Sequence, residues 1–357
     1  MQRKKTNVVR VGAVLIGGDN PISIQSMNNT DTRDVIKTLQ QINILAKAGC
    51  DITRVAIPDM EAAQALKYIC KKSPIPVVAD IHFDYRLALE SIRNGAAKIR
   101  INPGNIGGSD RLRQVADAAR NAMVPIRVGV NSGSIHKSFI EKYGGVNENS
   151  MVFSAIDSIK QLEECGFDQI VVSIKASDPL LTIKTYRLLS TLIPYPLHVG
   201  VTEAGTPKEG IVRSSVGIGT LLAEGIGDTI RVSLTGDPVM EVDCAIDILK
   251  SLHLRKGGIE IISCPTCGRT CVDLIHLAEQ AHERFKHIQE PIKIAIMGCA
   301  VNGPGEAREA DLGIAGGIGE YLLFSKGEIL RKIPEPRALE ELSIEIEKLL
   351  KERKPSK

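Results

Sequence analysis

Four cysteines fall within 36 positions of this 357-residue chain: Cys264, Cys267, Cys271 and Cys299. Cys264-Pro-Thr-Cys267 can wrap two thiolates round one centre, and Cys299 follows a second apolar run, KIAIMGC. In a chain of this length a C-x-x-C pair points to metal or redox chemistry, whereas disulfide frameworks belong to short secreted chains. Two chemistries fit. One is structural zinc, with Cys271 completing a four-thiolate set. The other is an iron–sulfur cluster, held by thiolates and by backbone N–H groups that bond its sulfurs. Gly298, Gly303 and Gly305 are placed to offer such N–H groups. The fourth ligand stays open between Cys271 and Glu306, seven residues past Cys299. A carboxylate would be the weaker, exchangeable partner and would leave one iron within reach of substrate. Cys50, Cys70, Cys165 and Cys244 are scattered singly and read as core thiols.

A second set of residues is cationic. Arg54, Arg100, Arg127, Lys175 and Arg231 each interrupt an otherwise apolar, Val- and Ile-rich segment. A charge buried in a strand is costly unless it is paired or faces a polar ligand. Only two strand carboxylates, Asp80 and Glu203, stand against the five cations. The surplus fits an anionic substrate, and arginine forks suit phosphate oxygens. Asn102, Asn131 and Ser233 lie one strand period or more beyond a basic residue, so several of them can share one site with it. Asp80 and Glu203 would be kept ionised by these cations and could move protons or orient a hydroxyl. His82 is unaccompanied by an H-x-H or H-E-x-x-H pattern and reads as a hydrogen-bonding residue, not a ligand.

The elements that must position these groups alternate regularly. Strand candidates occupy 21–27, 51–58, 76–82, 97–104, 125–133, 168–177, 196–205 and 228–238. Amphipathic helical patterns lie between them, for example at 31–48, 84–93, 150–165 and 214–224, each ending near a glycine. Eight strands with helices over some 230 residues fit a TIM (β/α)8 barrel better than a doubly wound sheet, and no dinucleotide fingerprint opens a helix. TIM barrels carry their chemistry at the C-terminal strand ends, where the cations would gather. After Leu254 the pattern changes at Arg255-Lys256-Gly257-Gly258. Strands at 258–264 and 293–299 then flank a helix at 272–285, two short strands follow, and a charged helix closes the chain at 337–354. The expected organisation is a barrel over 1–254 followed by a smaller α/β domain over 255–357. In a right-handed β-α-β unit, Cys264 and Cys299 end side by side. A net charge of +3 and the lack of tryptophan argue against a nucleic-acid or membrane-surface protein. The basic start without a following apolar run, and the lack of any stretch near 18 apolar residues, imply a soluble cytoplasmic protein.

The motifs SCPTCGRT (263–270) and MGCAVNGPGEA (297–307), behind IQSMNNTDT (24–32), ADIHFDYRLA (79–88) and EGIGDTIRVSLTGDP (224–238), resemble the bacterial 4-hydroxy-3-methylbut-2-enyl diphosphate synthase family. The resemblance runs over nearly the whole chain and is to the short, two-domain type. It implies reductive ring opening and dehydroxylation of 2-C-methyl-D-erythritol 2,4-cyclodiphosphate in the non-mevalonate isoprenoid pathway. A [4Fe–4S] cluster would deliver the electrons and flavodoxin or ferredoxin would recharge it. The family's cluster ligands fall on Cys264, Cys267, Cys299 and Glu306, which sets Cys271 aside. Its diphosphate contacts fall on Arg54, Arg100, Arg127, Asn131, Lys175, Arg231 and Ser233, and its barrel carboxylates on Asp80 and Glu203. It further implies a homodimer with shared active sites. The competing readings are a Schiff-base aldolase using Lys175, with zinc on the cysteines, and a non-enzymatic redox-sensing scaffold.

Overall fold

The computed structural model describes residues 3–300, 305 and 307–353, and the chain divides into two compact units, Met1–Arg255 and Lys256–Lys357.

The first unit opens with a hairpin, β1 (Val9–Val11) and β2 (Val14–Ile16), which the sequence patterning does not announce. Eight strands follow: β3 (Ser23–Met27), β4 (Ile52–Ala56), β5 (Val77–Asp80), β6 (Lys98–Ile101), β7 (Ile126–Asn131), β8 (Ile170–Lys175), β9 (His198–Val199) and β10 (Thr229–Ile230). They form one parallel sheet in the order β8-β7-β6-β5-β4-β3-β10-β9, and a parallel bridge between Val172 and Leu197 joins its two ends into a barrel. Each predicted barrel strand segment contains one of them. Helices follow the strands, including α1 (Val35–Ala48), α3 (Tyr85–Arg93), α6 (Glu148–Glu164), α7 (Pro179–Leu192), α8 (Pro207–Ala223) and α9 (Pro238–Ser251). Aspartates start several of them: Asp34, Asp84, Asp178 and Asp237 each accept a backbone N–H of the first turn.

Side-chain alternation explains where the chemistry goes. Ile99, Ile101, Ile126, Val128, Val130, Val172 and Ile174 join the large core between strands and helices. Their neighbours, the residues of opposite parity, face the barrel interior: Lys98 and Arg100, Arg127 and Asn131, Ser173 and Lys175. At one end the interior is closed by a separate apolar cluster, in which Val11 and Ile16 of the hairpin pack with Ile52 and Val78.

The second unit is a five-stranded sheet in the order β11 (Ile259–Ser263), β12 (Ile292–Met297), β13 (Leu312–Gly316), β14 (Glu320–Ser325), β15 (Glu328–Pro334). The first three strands are parallel and the last two antiparallel. Helices α10 (Leu274–Phe285) and α11 (Ala338–Arg353) supply Leu277, Phe285, Leu342 and Ile346 to its core. Strand β15 is an addition to the elements expected from sequence. Among the described residues no helix is long and apolar enough to cross a membrane.

Candidate active site

Parallel pairing brings the barrel cations to one level. Asp80 is the register partner of Arg100, Arg100 of Arg127, and Asn131 of Lys175. Arg54, Asp80, Arg100, Arg127, Asn131, Lys175 and Arg231 line one cavity of about 110 Å³ with His82, Gly129, Ser173 and Thr202. Two glycines make room for the long side chains. A Cβ on Gly129 would lie 2.5 Å from Arg100 Nε, and one on Gly200 would lie 2.8 Å from Lys175 Nζ.

Asp80 is the counter-charge on one side. It lies 3.3 Å from Arg100 Nη1, 3.8 Å from Arg54 Nε and 3.4 Å from His82 Nε2. Burial alone would raise its pKa; Arg54, the His82 hydrogen bond, Arg100 and Arg127 outweigh that and hold the carboxyl far below the usual range. Burial pulls Arg54 down to about 10 against the pull of Asp80. On Arg127 and Lys175 the pull of the carboxylates Asp80 and Glu241 is outweighed. Burial, then the neighbouring cations, push both well below their ordinary values. Among the described residues, Arg127 Nε and Nη2, Lys175 Nζ, Arg100 Nε, Arg231 Nε and Ser233 Oγ are buried without a hydrogen-bond partner.

Two expectations need correction. Glu203 is not on a barrel strand. It lies on the loop after β9, exposed, with a left-handed φ of 52°. A buried carboxylate that does stand beside one of the five cations is Glu241 of α9, which lies 3.7 Å from Arg231. The interior also holds more basic groups than the five foreseen. Lys98 is fully buried and donates to Gln25 at 3.3 Å. His198 is fully buried, the register partner of Thr229, which in turn pairs with Ser23. Burial, then Arg127 and Lys175, keep His198 neutral. The alternation of Lys98 with Arg100 was the available signal for the first; Glu241 has no local pattern.

In the second unit, Ser263 pairs with Ile296, so Cys264 and the segment before Cys299 end adjacent parallel strands. The Gly298 N–H donates to Cys264 Sγ at 3.2 Å. A Cβ at 298 would lie 2.9 Å from the Thr270 methyl, so a larger residue there would force Thr270 to move. Cys267 sits in a turn closed by Thr270 N–H to its carbonyl at 3.0 Å, and N–H and side-chain bonds from Arg269 lower its thiol pKa. Cys271 precedes α10 as an exposed thiol bonded to the Arg269 carbonyl, so it is not a core residue. Cys50 and Cys244 are buried; Cys70 and Cys165 are half-buried against the barrel core. Glu306 and Gly303 lie outside the described residues. Among the described residues no three His, Cys, Asp or Glu side chains are gathered at metal-binding distance. The donor chemistry nevertheless fits a thiolate-held cluster: unpaired thiols at neighbouring strand ends, one already accepting a backbone N–H.

A closed barrel with a cationic mouth, followed in the chain by an α/β unit with thiols at its strand ends, describes an oxidoreductase for an anionic substrate. Residues 6–246 match the GcpE TIM-barrel domain and residues 260–348 the GcpE protein C-terminal domain. The chain belongs to this family. It is 59% identical to the 4-hydroxy-3-methylbut-2-en-1-yl diphosphate synthase (flavodoxin) of Ruminiclostridium cellulolyticum over 98% of this chain and 99% of that one. It is 56% identical to the protein of the same name from Caldanaerobacter subterraneus, over 98% and 99%. The solved 7,8-dihydropteroate synthase of Vibrio fischeri, 13% identical with a TM-score of 0.50 over 69% of this chain and 98% of that one, shares the barrel fold. Membership favours neither the aldolase nor the redox-sensing scaffold.

Proposed function

We propose that this chain carries out its relatives' reaction, the reductive ring opening and dehydroxylation of 2-C-methyl-D-erythritol 2,4-cyclodiphosphate to 4-hydroxy-3-methylbut-2-enyl diphosphate. One observation carries the substrate side: among the described residues, buried donors of Arg127, Lys175, Arg100 and Arg231 are left without protein partners in residues that line one cavity. Each unsatisfied buried donor costs about 1–3 kcal/mol, more when charged. Phosphate oxygens would take those donors and offset the cost.

In this reading Arg54, Arg100, Arg127, Asn131, Lys175, Arg231 and Ser233 grip the diphosphate. Asp80 orients Arg54 and Arg100, to which it is paired. Glu203 hands over the proton with which the hydroxyl leaves as water. Cys264, Cys267, Cys299 and Glu306 hold a [4Fe–4S] cluster. When bound, the cluster supplies the two electrons of the reduction singly, replaced from reduced flavodoxin. The barrel side chains hold the leaving phosphate's charge as the ring opens and keep water from the reacting carbons. The reading includes a cytoplasmic homodimer with shared active sites.

Anaerobically purified protein should be brown, contain iron and sulfide in near-stoichiometric amounts, and turn over the cyclic diphosphate with reduced flavodoxin. A colourless protein holding one zinc would end the proposal. Glu306→Ala should keep most of its iron and lose most turnover; full activity would remove Glu306 from the ligand set.

A further inference from the structure

Glu241 is a buried carboxylate beside an anion-binding mouth, where a free negative charge would repel the ligand. Its oxygens are already spent. Ser26 Oγ, on β3, donates to Oε2 at 3.1 Å. The Leu234 N–H, in the loop between β10 and α9, donates to Oε1 at 3.0 Å. Arg231 Nη2, just past β10, lies 3.7 Å from the same oxygen. The Glu241 side chain is only 7% exposed. One carboxylate thus ties a helix start to two neighbouring strands. It engages Arg231 through Nη2 and leaves Arg231 Nε unpartnered. Ser233, whose hydroxyl is also unpartnered, immediately precedes the anchored Leu234.

We propose that Glu241 is a positioning residue for the substrate diphosphate: it sets where Arg231 and Ser233 stand and does not itself touch the substrate. This rests on the anion-binding reading of the mouth. It also predicts a sign. Removing a negative charge near an anion site tightens anion binding if charge is all that matters. Removing the anchor of Arg231 weakens it.

The test is Glu241→Gln in the complete, cluster-loaded protein. Glutamine keeps both hydrogen bonds, with its carbonyl accepting from Leu234 and its amide donating to Ser26, and loses only the charge. Inorganic pyrophosphate binding should weaken about tenfold and KM rise by a similar factor, from the loss of the buried charge that faces Arg231. The change in kcat should stay within about threefold, since uniform binding is what is lost. In the double variant with Arg231→Gln, Glu241→Gln should add little further loss, because its effect runs through Arg231. Ser26→Ala, which frees one oxygen without altering charge, should shift KM the same way by a few-fold. Tighter or unchanged pyrophosphate binding in Glu241→Gln would overturn the inference, as would full additivity with Arg231→Gln. Should Glu241→Gln fail to fold, an unchanged KM in Ser26→Ala would overturn it alone. Wild-type protein that ignored pyrophosphate would overturn the functional reading, and this inference with it.

Discussion

The barrel mouth and the cysteine corner are built on the same plan and held by different means. Both use the carboxyl ends of adjacent parallel strands. In the mouth the functional atoms sit on strands locked in register, and Asp80 and Glu241 brace the cations before any ligand arrives. In the corner, Cys267 lies on an exposed turn and the described thiols are not gathered. A site that must bind a charged molecule repeatedly benefits from preorganisation. A site that acquires a resident group once can take its final geometry from that group, as metal sites that form on binding do.

The largest expected effect breaks the corner alone. Cys264→Ser should lose its iron and drop anaerobic turnover at least about 1,000-fold, the scale of losing an essential group, while pyrophosphate affinity stays within about twofold of wild type. A parallel collapse of pyrophosphate binding would show that the two regions are not independently built. Arg127→Gln breaks the mouth alone. Pyrophosphate affinity should fall about 30-fold or more, as when one partner of a buried charge pair is truncated, with iron content unchanged.

A subtler effect concerns Lys175. Burial and the surrounding arginines favour its neutral form in the free protein, whereas a bound anion favours the ammonium. Binding therefore takes up a proton, and affinity falls as pH rises from the lowered free-state pKa toward the raised bound-state one. Calorimetry in buffers of different ionisation enthalpy should show that uptake, and Lys175→Gln should remove it; proton release by the wild type would contradict the assignment. The smallest effect is expected at Cys271. Cys271→Ser should leave iron content and turnover intact and change stability by no more than about 0.5 kcal/mol, as for an exposed position. Loss of iron there would return Cys271 to the ligand set.

What could be read without coordinates follows from range. The eight barrel strands announce themselves because one face must be aliphatic against the helices, so Ile99 or Val128 alternates with its basic neighbour. Arg127 and Lys175 stood out because charge among such residues is costly. Glu241 was invisible because its partner Ser26 is 215 residues away. Glu203 was misplaced because strand β9 ends at Val199, early in the 196–205 segment expected to be strand throughout, so Glu203 falls on the loop that follows. Strand β15 was missed because five of its seven residues in a row are exposed, which hides the alternation of a buried strand. The hairpin β1–β2 was missed because three-residue strands carry too little pattern.

That hairpin has an electrical consequence. By packing Val11 and Ile16 on Ile52 and Val78, it stoppers one end of the barrel with hydrocarbon. Field lines from the basic interior cannot be quenched by water there and emerge through the opposite opening. In the function proposed above, the protein, near neutral overall at +3, would then work locally as an anion funnel, and substrate capture should slow as ionic strength rises.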